Sequence, residues 1–282
     1  VQKANLKKLN LTKEDISFGG KFNLNFSGAT IDNFLGNARI TEATLTRNGN
    51  PLPFDSLVFS SDYIDNVKIL TARSNEFEAT VSGDFNIRDL PDAVKLFLNK
   101  YYPAYIKPPN RQPENQSLTF DIKTQHVEDY IKLIDSSLAG FNYSHIYGNL
   151  DTRKSELKLN ADIPQFNYSK YNFDNVKLAA SGNKDSFALY GIASNINISD
   201  SLNIPLALFR INARNDISDV QINTGSNQAI NQADLHAKVF TYDNGVKIEF
   251  DASSFIVNGK TWVIEDNGEL EFRRNTPASG QL

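Results

Sequence analysis

A two-residue hydrophobic period runs through almost the whole chain and constrains its fold more than any other feature. It is clearest in Phe77-Glu78-Ala79-Thr80-Val81-Ser82-Gly83-Asp84-Phe85-Asn86-Ile87, where odd positions are apolar or small and even positions are polar. Successive side chains of a strand point to opposite faces, so Phe77, Ala79, Val81, Phe85 and Ile87 share one dry face. The pattern recurs in Phe22, Leu24 and Phe26, in Leu157 and Leu159, in Phe187 and Leu189, and in Val239, Ile248 and Phe250. Asn48-Gly49 and Asp243-Asn244-Gly245 supply residues that tolerate the positive φ of tight hairpin turns. Leu206-Ala207-Leu208-Phe209 alternates less and reads as a strand buried on both faces. These patterns predict a mostly β chain of one-faced strands joined by turns.

Two stretches change period. Leu90, Val94, Phe97, Leu98 and Tyr101 recur at helical spacing, after Asp89 as a capping residue and Pro91 in the first turn. A short amphipathic helix is therefore expected near 89–102, stopped by Tyr102-Pro103. Val127, Tyr130, Ile131 and Ile134 predict a second, near 126–138. Between them lies a proline-rich loop at 108–117, the one visible boundary in the chain. It divides a β segment at 1–107 from another at 118–282, the two together reading as one continuous architecture.

Composition removes several functions. The chain has 282 residues and a net charge of −4, which gives no basic stripe and no reason to expect nucleic acid. No apolar run approaches the roughly 18 residues of a membrane helix. The sequence does not begin with Met, and it reads as a piece of something longer. With no Cys and three scattered histidines, His126, His145 and His236, no metal site or cofactor is expected. No phosphate loop, dinucleotide fingerprint or nucleophile elbow occurs, so no catalytic residue is assigned and the chain reads as a non-enzyme. Adjacent acidic pairs such as Glu265-Asp266 point to opposite strand faces and form no dyad by themselves.

What remains is the dry face: Phe22, Leu24, Phe26, Phe77, Val81, Phe85, Leu157, Leu159, Phe187, Leu189, Val239, Ile248 and Phe250. Alternation by itself is compatible with two structures. These side chains fill an ordinary closed core, which is the commoner fate of a one-faced strand, or they line an open groove for an apolar ligand.

Leu57-Val58-Phe59-Ser60, the stretch from Phe77 to Phe85 and the helix ending Asn99-Lys100-Tyr101-Tyr102-Pro103 resemble the AsmA/TamB-like translocation and assembly module proteins, Bacteroidetes-type forms above all. Phe255-Ile256-Val257-Asn258-Gly259-Lys260, running into Trp262 and Val263, is similar to an element of the same family. The resemblance implies a long curved sheet, a U-shaped trough with two short helices added, and a greasy interior that carries phospholipid or another acyl-chain ligand between membranes. It also implies a periplasmic location, an inner-membrane anchor on the full-length protein and an outer-membrane barrel-assembly protein as partner. The dry-face residues would then be lipid-facing. Two other readings stay open: a closed β-sandwich binding or adhesion module with its ligand on loops such as Pro108 to Asn115, and a carbohydrate-active enzyme on a β scaffold.

Overall fold

The computed structural model describes residues 4–5, 16–28, 30, 32–47, 49–199, 202–225, 230–257, 259–266 and 268–281. The N-terminal half supplies strands Ala4–Asn5 (β1), Ile16–Ser27 (β2), Leu35–Arg47 (β3), Asn50–Ile64 (β4), Val67–Ser74 (β5) and Phe77–Asp84 (β6). Helix Leu90–Asn99 (α1), strand Ser117–Thr124 (β7), helix Glu128–Ile134 (α2) and strands Leu138–Gly140 (β8) and His145–Asp151 (β9) follow. Long hairpins come next: Glu156–Tyr168 (β10), Tyr171–Gly182 (β11), Phe187–Ser199 (β12), Leu202–Arg214 (β13), Ile217–Gly225 (β14) and Ile230–Tyr242 (β15). Gly245–Phe250 (β16), Ser253–Val257 (β17), Lys260–Ile264 (β18), Gly268–Arg273 (β19) and Ser279–Gln281 (β20) end the chain.

All of the strands belong to one open antiparallel sheet. Its order is a meander from β1 to β7, then β9 to β15, with β8 extending the edge of β10 beyond β9. At β15 the sheet forks: β16 pairs with one half of that strand and β17 with the other. The proline-rich loop does not interrupt the sheet, because β6 and β7 on either side of it pair from Phe77↔Thr124 to Asp84↔Ser117. Gln116, fully buried, ties that loop down: its side-chain oxygen accepts from the Asn86 amide and its nitrogen donates to the Glu114 carbonyl.

The cross-strand register shows how far one face continues. Leu24 pairs with Ala38, Ala38 with Phe59, Phe59 with Ala72, Ala72 with Ala79, and Ala79 with Ile122. The row goes on through Ile146, Ala161 and Leu178 to Gly191, Phe209, Ile222 and Leu235. From β2 to β15 it holds no polar side chain. Directly paired residues project to the same side, so this is one unbroken apolar row. The other face is wet. Ser82 and Thr119 share a hydroxyl hydrogen bond of 2.7 Å there, and Lys247 bridges Glu249 and Glu269 at 2.9 and 2.8 Å.

Among the described residues, bulges shift the strand register at several places, and three of them keep apolar side chains on the inner face. Ile40 and Ala43 are both buried although three residues apart, because Glu42 between them takes a positive φ and absorbs the extra residue. Asn175 and Asn195 do the same in β11 and β12, keeping Phe173 with Val176 and Ala193 with Ile196 in one cluster. Such bulges add bend and twist to long strands. The expectation of a doubly buried strand at Leu206–Phe209 is corrected: Ala207 is buried on the inner face while Leu206, facing outward, is 40% exposed.

Both helices lie on the apolar face, and both are shorter than their sequence patterns. Lys100 and Tyr101 follow α1 as a turn, and Tyr102 lies beyond it. Asp89 occupies the N-cap position of α1 but makes no capping bond. Its buried carboxylate turns to the loop instead, where it meets the Arg111 guanidinium and accepts from the Glu114 amide at 2.9 Å.

Candidate functional site

The inner face divides into a closed end and an open middle. At the closed end, α1 lies across the sheet and spans its hairpin turns. Lys100 donates to Ser155 in the β9–β10 turn, and the Tyr101 hydroxyl donates to the Asn183 carbonyl in the β11–β12 turn. In the β13–β14 turn, Asp216 donates its amide to the Tyr101 carbonyl at 2.7 Å and accepts the Ala104 amide on both carboxylate oxygens, at 2.9 and 3.1 Å. The Tyr102 hydroxyl reaches Ser218 on β14 at 3.0 Å.

Under these bonds, Phe97 and Tyr101 form one buried cluster with Phe85, Leu118, Leu150 and Ala213. Neighbouring strands stand about 4.8 Å apart, so β6 to β13 would cover roughly 29 Å if flat. Ten helical residues are only about 15 Å long. The sheet therefore curls around α1, with the apolar face inside. Gly182 makes the close approach possible: a Cβ there would lie 2.7 Å from the Phe97 ring and 2.9 Å from the Tyr101 hydroxyl. Burial pushes the Tyr101 hydroxyl up to about 12, with Asp185 adding to the effect, so the hydroxyl stays a donor at neutral pH. Burial also lowers Lys100 below its ordinary value.

Lys68 is a polar group inside this end that the alternation did not foretell. It pairs with Gly83 on the apolar side, is buried, donates to the Asp32 carbonyl and stands 5.3 Å from the centre of the Phe85 ring. Alternation within Val67-Lys68-Ile69 would put the two apolar residues inward, so the register alone reveals Lys68 there.

The middle is different. Phe120, Leu159, Leu178, Leu189, Phe209, Ile211, Val220 and Ile222 are all half-buried, and neither helix packs over Leu178, Phe209 or Ile222. Phe209 lies over Gly191, whose added Cβ would meet its ring at 1.9 Å. At the far end α2 covers one wall only: Tyr130 packs on Phe54 with ring centres 4.5 Å apart and donates to the Pro53 carbonyl at 2.9 Å. Burial, together with Glu76, drives the Tyr130 hydroxyl well above its ordinary value.

The register brings the sequence-predicted residues onto this one face. Leu24 lies in the long row, and Phe26 and Val81 lie in the next, through Gly36, Ser61 and Leu70. Val81 continues through Phe120 and Gly148 to Leu159, then through Ala180 to Leu189 and on to Phe250. Leu157, Phe187, Val239 and Ile248 form a parallel row nearer α1. Phe22 pairs with Ile40 towards the α2 end, and Phe77 packs with the same cluster. Phe85 stands apart: β6 stops at Asp84, and Phe85 is buried beneath α1 rather than along the groove. Leu24 and Phe26 are 54% and 45% exposed. Sequence reading placed Phe209 in a doubly buried strand rather than on the dry face and passed over Ile211, Val220 and Ile222, although Val220-Gln221-Ile222 carries the same alternation.

Unlike Lys68, the histidines with acidic partners sit, with those partners, on the other face. His145 meets Asp121 at 2.9 Å and holds its carboxyl below the usual range; His236 meets Asp234 at 2.9 Å. Phe120, Ile146 and Leu235 point inward, so both pairs point outward. Among the described residues no three His, Asp or Glu side chains gather as a metal site. Also among them, no helix is long and apolar enough to cross a membrane.

Fold and site together define an open β trough with an apolar interior and one helix-closed end. Compared with known proteins, the chain matches no family model, no curated protein and no solved structure.

Proposed function

We propose that this trough holds acyl chains along its inner face, as the groove segment of an AsmA/TamB-like protein that carries phospholipid between membranes. The observation behind this reading is the unbroken row from Leu24 to Leu235, half-buried in its middle and covered there by neither helix nor a second sheet among the described residues. An acyl chain gains about 0.8 kcal/mol for each CH₂ removed from water and requires no specific polar partner. A continuous apolar lining without a polar constellation is what such a ligand needs. The reading places the chain in the periplasm, on a full-length protein anchored in the inner membrane and working with an outer-membrane barrel-assembly partner, and gives it no catalytic step.

The rival sandwich needs a second layer over the middle rows, and the described residues, one open sheet with two short helices, supply none there. The carbohydrate-enzyme reading needs carboxylates in a cleft, and the long row carries none. The test is uptake of a fluorescent phospholipid from vesicles by the purified chain. Uptake that is lost in a folded Phe209→Glu variant supports the proposal; no uptake by the folded parent chain contradicts it.

A further inference from the structure

Beyond α1 the chain runs on through Tyr102, Tyr105 and Ile106 towards the last strands, leaving a cavity of about 520 Å³ against Val246 and Phe272. That volume falls within the usual range of small-molecule sites. Its walls are mostly apolar, and Tyr105 and Phe272 are 58% and 44% exposed. Arg273 and Arg274 also line it. These two arginines are not equivalent. Arg273 is engaged: it pairs with Glu271, donates to Asn244 at 2.9 Å and stacks 3.7 Å from the centre of the Tyr242 ring. Arg274 is held by its backbone amide on the Asn244 carbonyl at 2.7 Å, while its guanidinium has no hydrogen bond or ion pair among the described residues.

We infer that this cavity binds a single acyl chain bearing an anionic head, carboxylate or phosphate, with the chain against Ile106, Val246 and Phe272 and the head on Arg274. A guanidinium is always charged near neutral pH and matches either anion with two parallel N–H donors. The apolar walls select the tail. The inference rests on the trough reading for its ligand class and adds to it a polar anchor that the long row lacks. The site stands where the α1 segment meets the final strands, so it would hold a lipid by its head at the closed end.

Trp262 makes the test selective. It is the lone tryptophan, and it stacks on Phe255 on β17, at the end of the sheet away from α1. A Trp262→Phe, Phe272→Trp double variant moves the reporter to the cavity. Both chains are titrated with dibromostearate, its neutral methyl ester and a brominated lysophosphatidate, reading fluorescence quenching. The cavity reporter should be quenched by both anions, and by the ester only at about tenfold higher concentration. Adding Arg274→Gln to the double variant should abolish that preference, a loss of about tenfold, the size of one charge-assisted hydrogen-bonded pair. Equal affinity for ester and anion, or an unchanged anion affinity after Arg274→Gln with the circular dichroism intact, overturns the site. Quenching of Trp262 alone removes the cavity and leaves the trough reading; quenching at the cavity alone keeps this site and counts against the trough.

Discussion

The closed end and the open middle of the trough are built from the same alternating strands, yet their apolar side chains meet different fates. Leu118, Leu150 and Leu157 lie in adjacent positions of one row and are sealed by Phe97 and Tyr101. Two rows away, Ile122, Ile146, Leu178 and Phe209 have the same chemistry and the same strand pairing, and neither helix packs on Leu178 or Phe209. Strand sequence sets which way a side chain points. Only the tertiary partner decides whether that side becomes core or groove.

The sharpest way to break this comparison is to truncate one aromatic ring in each region. Phe97→Ala should cost about 3–5 kcal/mol in denaturant unfolding, the usual penalty for deleting a fully buried ring. Phe209→Ala removes a half-exposed ring and should cost clearly less, about 1–2 kcal/mol. Equal losses would mean that the middle is packed as tightly as the closed end.

The glycines give the next contrast. Gly182→Ala forces a methyl between the Phe97 and Tyr101 rings, both buried, and should cost about 1–3 kcal/mol by overpacking. Gly191→Ala makes a closer nominal clash with Phe209, but that ring borders the open groove and can swing away. Its thermal unfolding midpoint should therefore shift less than that of Gly182→Ala. The reverse ranking would mean that Phe209 is the clamped ring.

A smaller effect is expected where α1 is tied to the turns. Asp216→Ala leaves the Ala104 amide without its carboxylate and should cost about 1–2 kcal/mol. Amide exchange should quicken in 97–104 and not in the strands of the middle. Uniform quickening would show that the closed end is no separate unit.

The smallest effect is a matter of pH. Tyr101 is raised from 10.0 to about 12 by burial, so the folded chain favours its neutral hydroxyl. A raised folded-state value means stability that is complete below pH 10 and is lost as pH rises through about 12. Alkaline titration in that window should loosen the chain, and a Tyr101→Phe variant should show a flatter slope. An identical slope would assign the loss to other groups.

Much of this was legible beforehand. Phe77 to Asp84, Leu157 to Ile163 and Val239 to Phe250 carry undisturbed alternation and fold as that pattern predicts. The helix pattern of Leu90, Phe97 and Tyr101 also reads correctly, one residue too long at its start and three at its end. Local sequence did not reveal the bulges at Glu42, Asn175 and Asn195, because nothing in a bulged strand marks which residue drops out of register. Nor did it reveal Asp89 abandoning its capping role for Arg111, a partner that the loop brings back from far along the chain. The burial of Lys68 depends on Asp32 in another hairpin, and no pattern within Val67-Lys68-Ile69 encodes it.

The most direct test of the trough is photo-crosslinking in living cells of the source type, with the probe at Phe209 and, as control, at its outward neighbour Arg210. The account predicts phospholipid captured at Phe209 and none at Arg210. Crosslinks at Phe209 only to the protein itself, from a stably folded chain, would make the middle an ordinary core and contradict it.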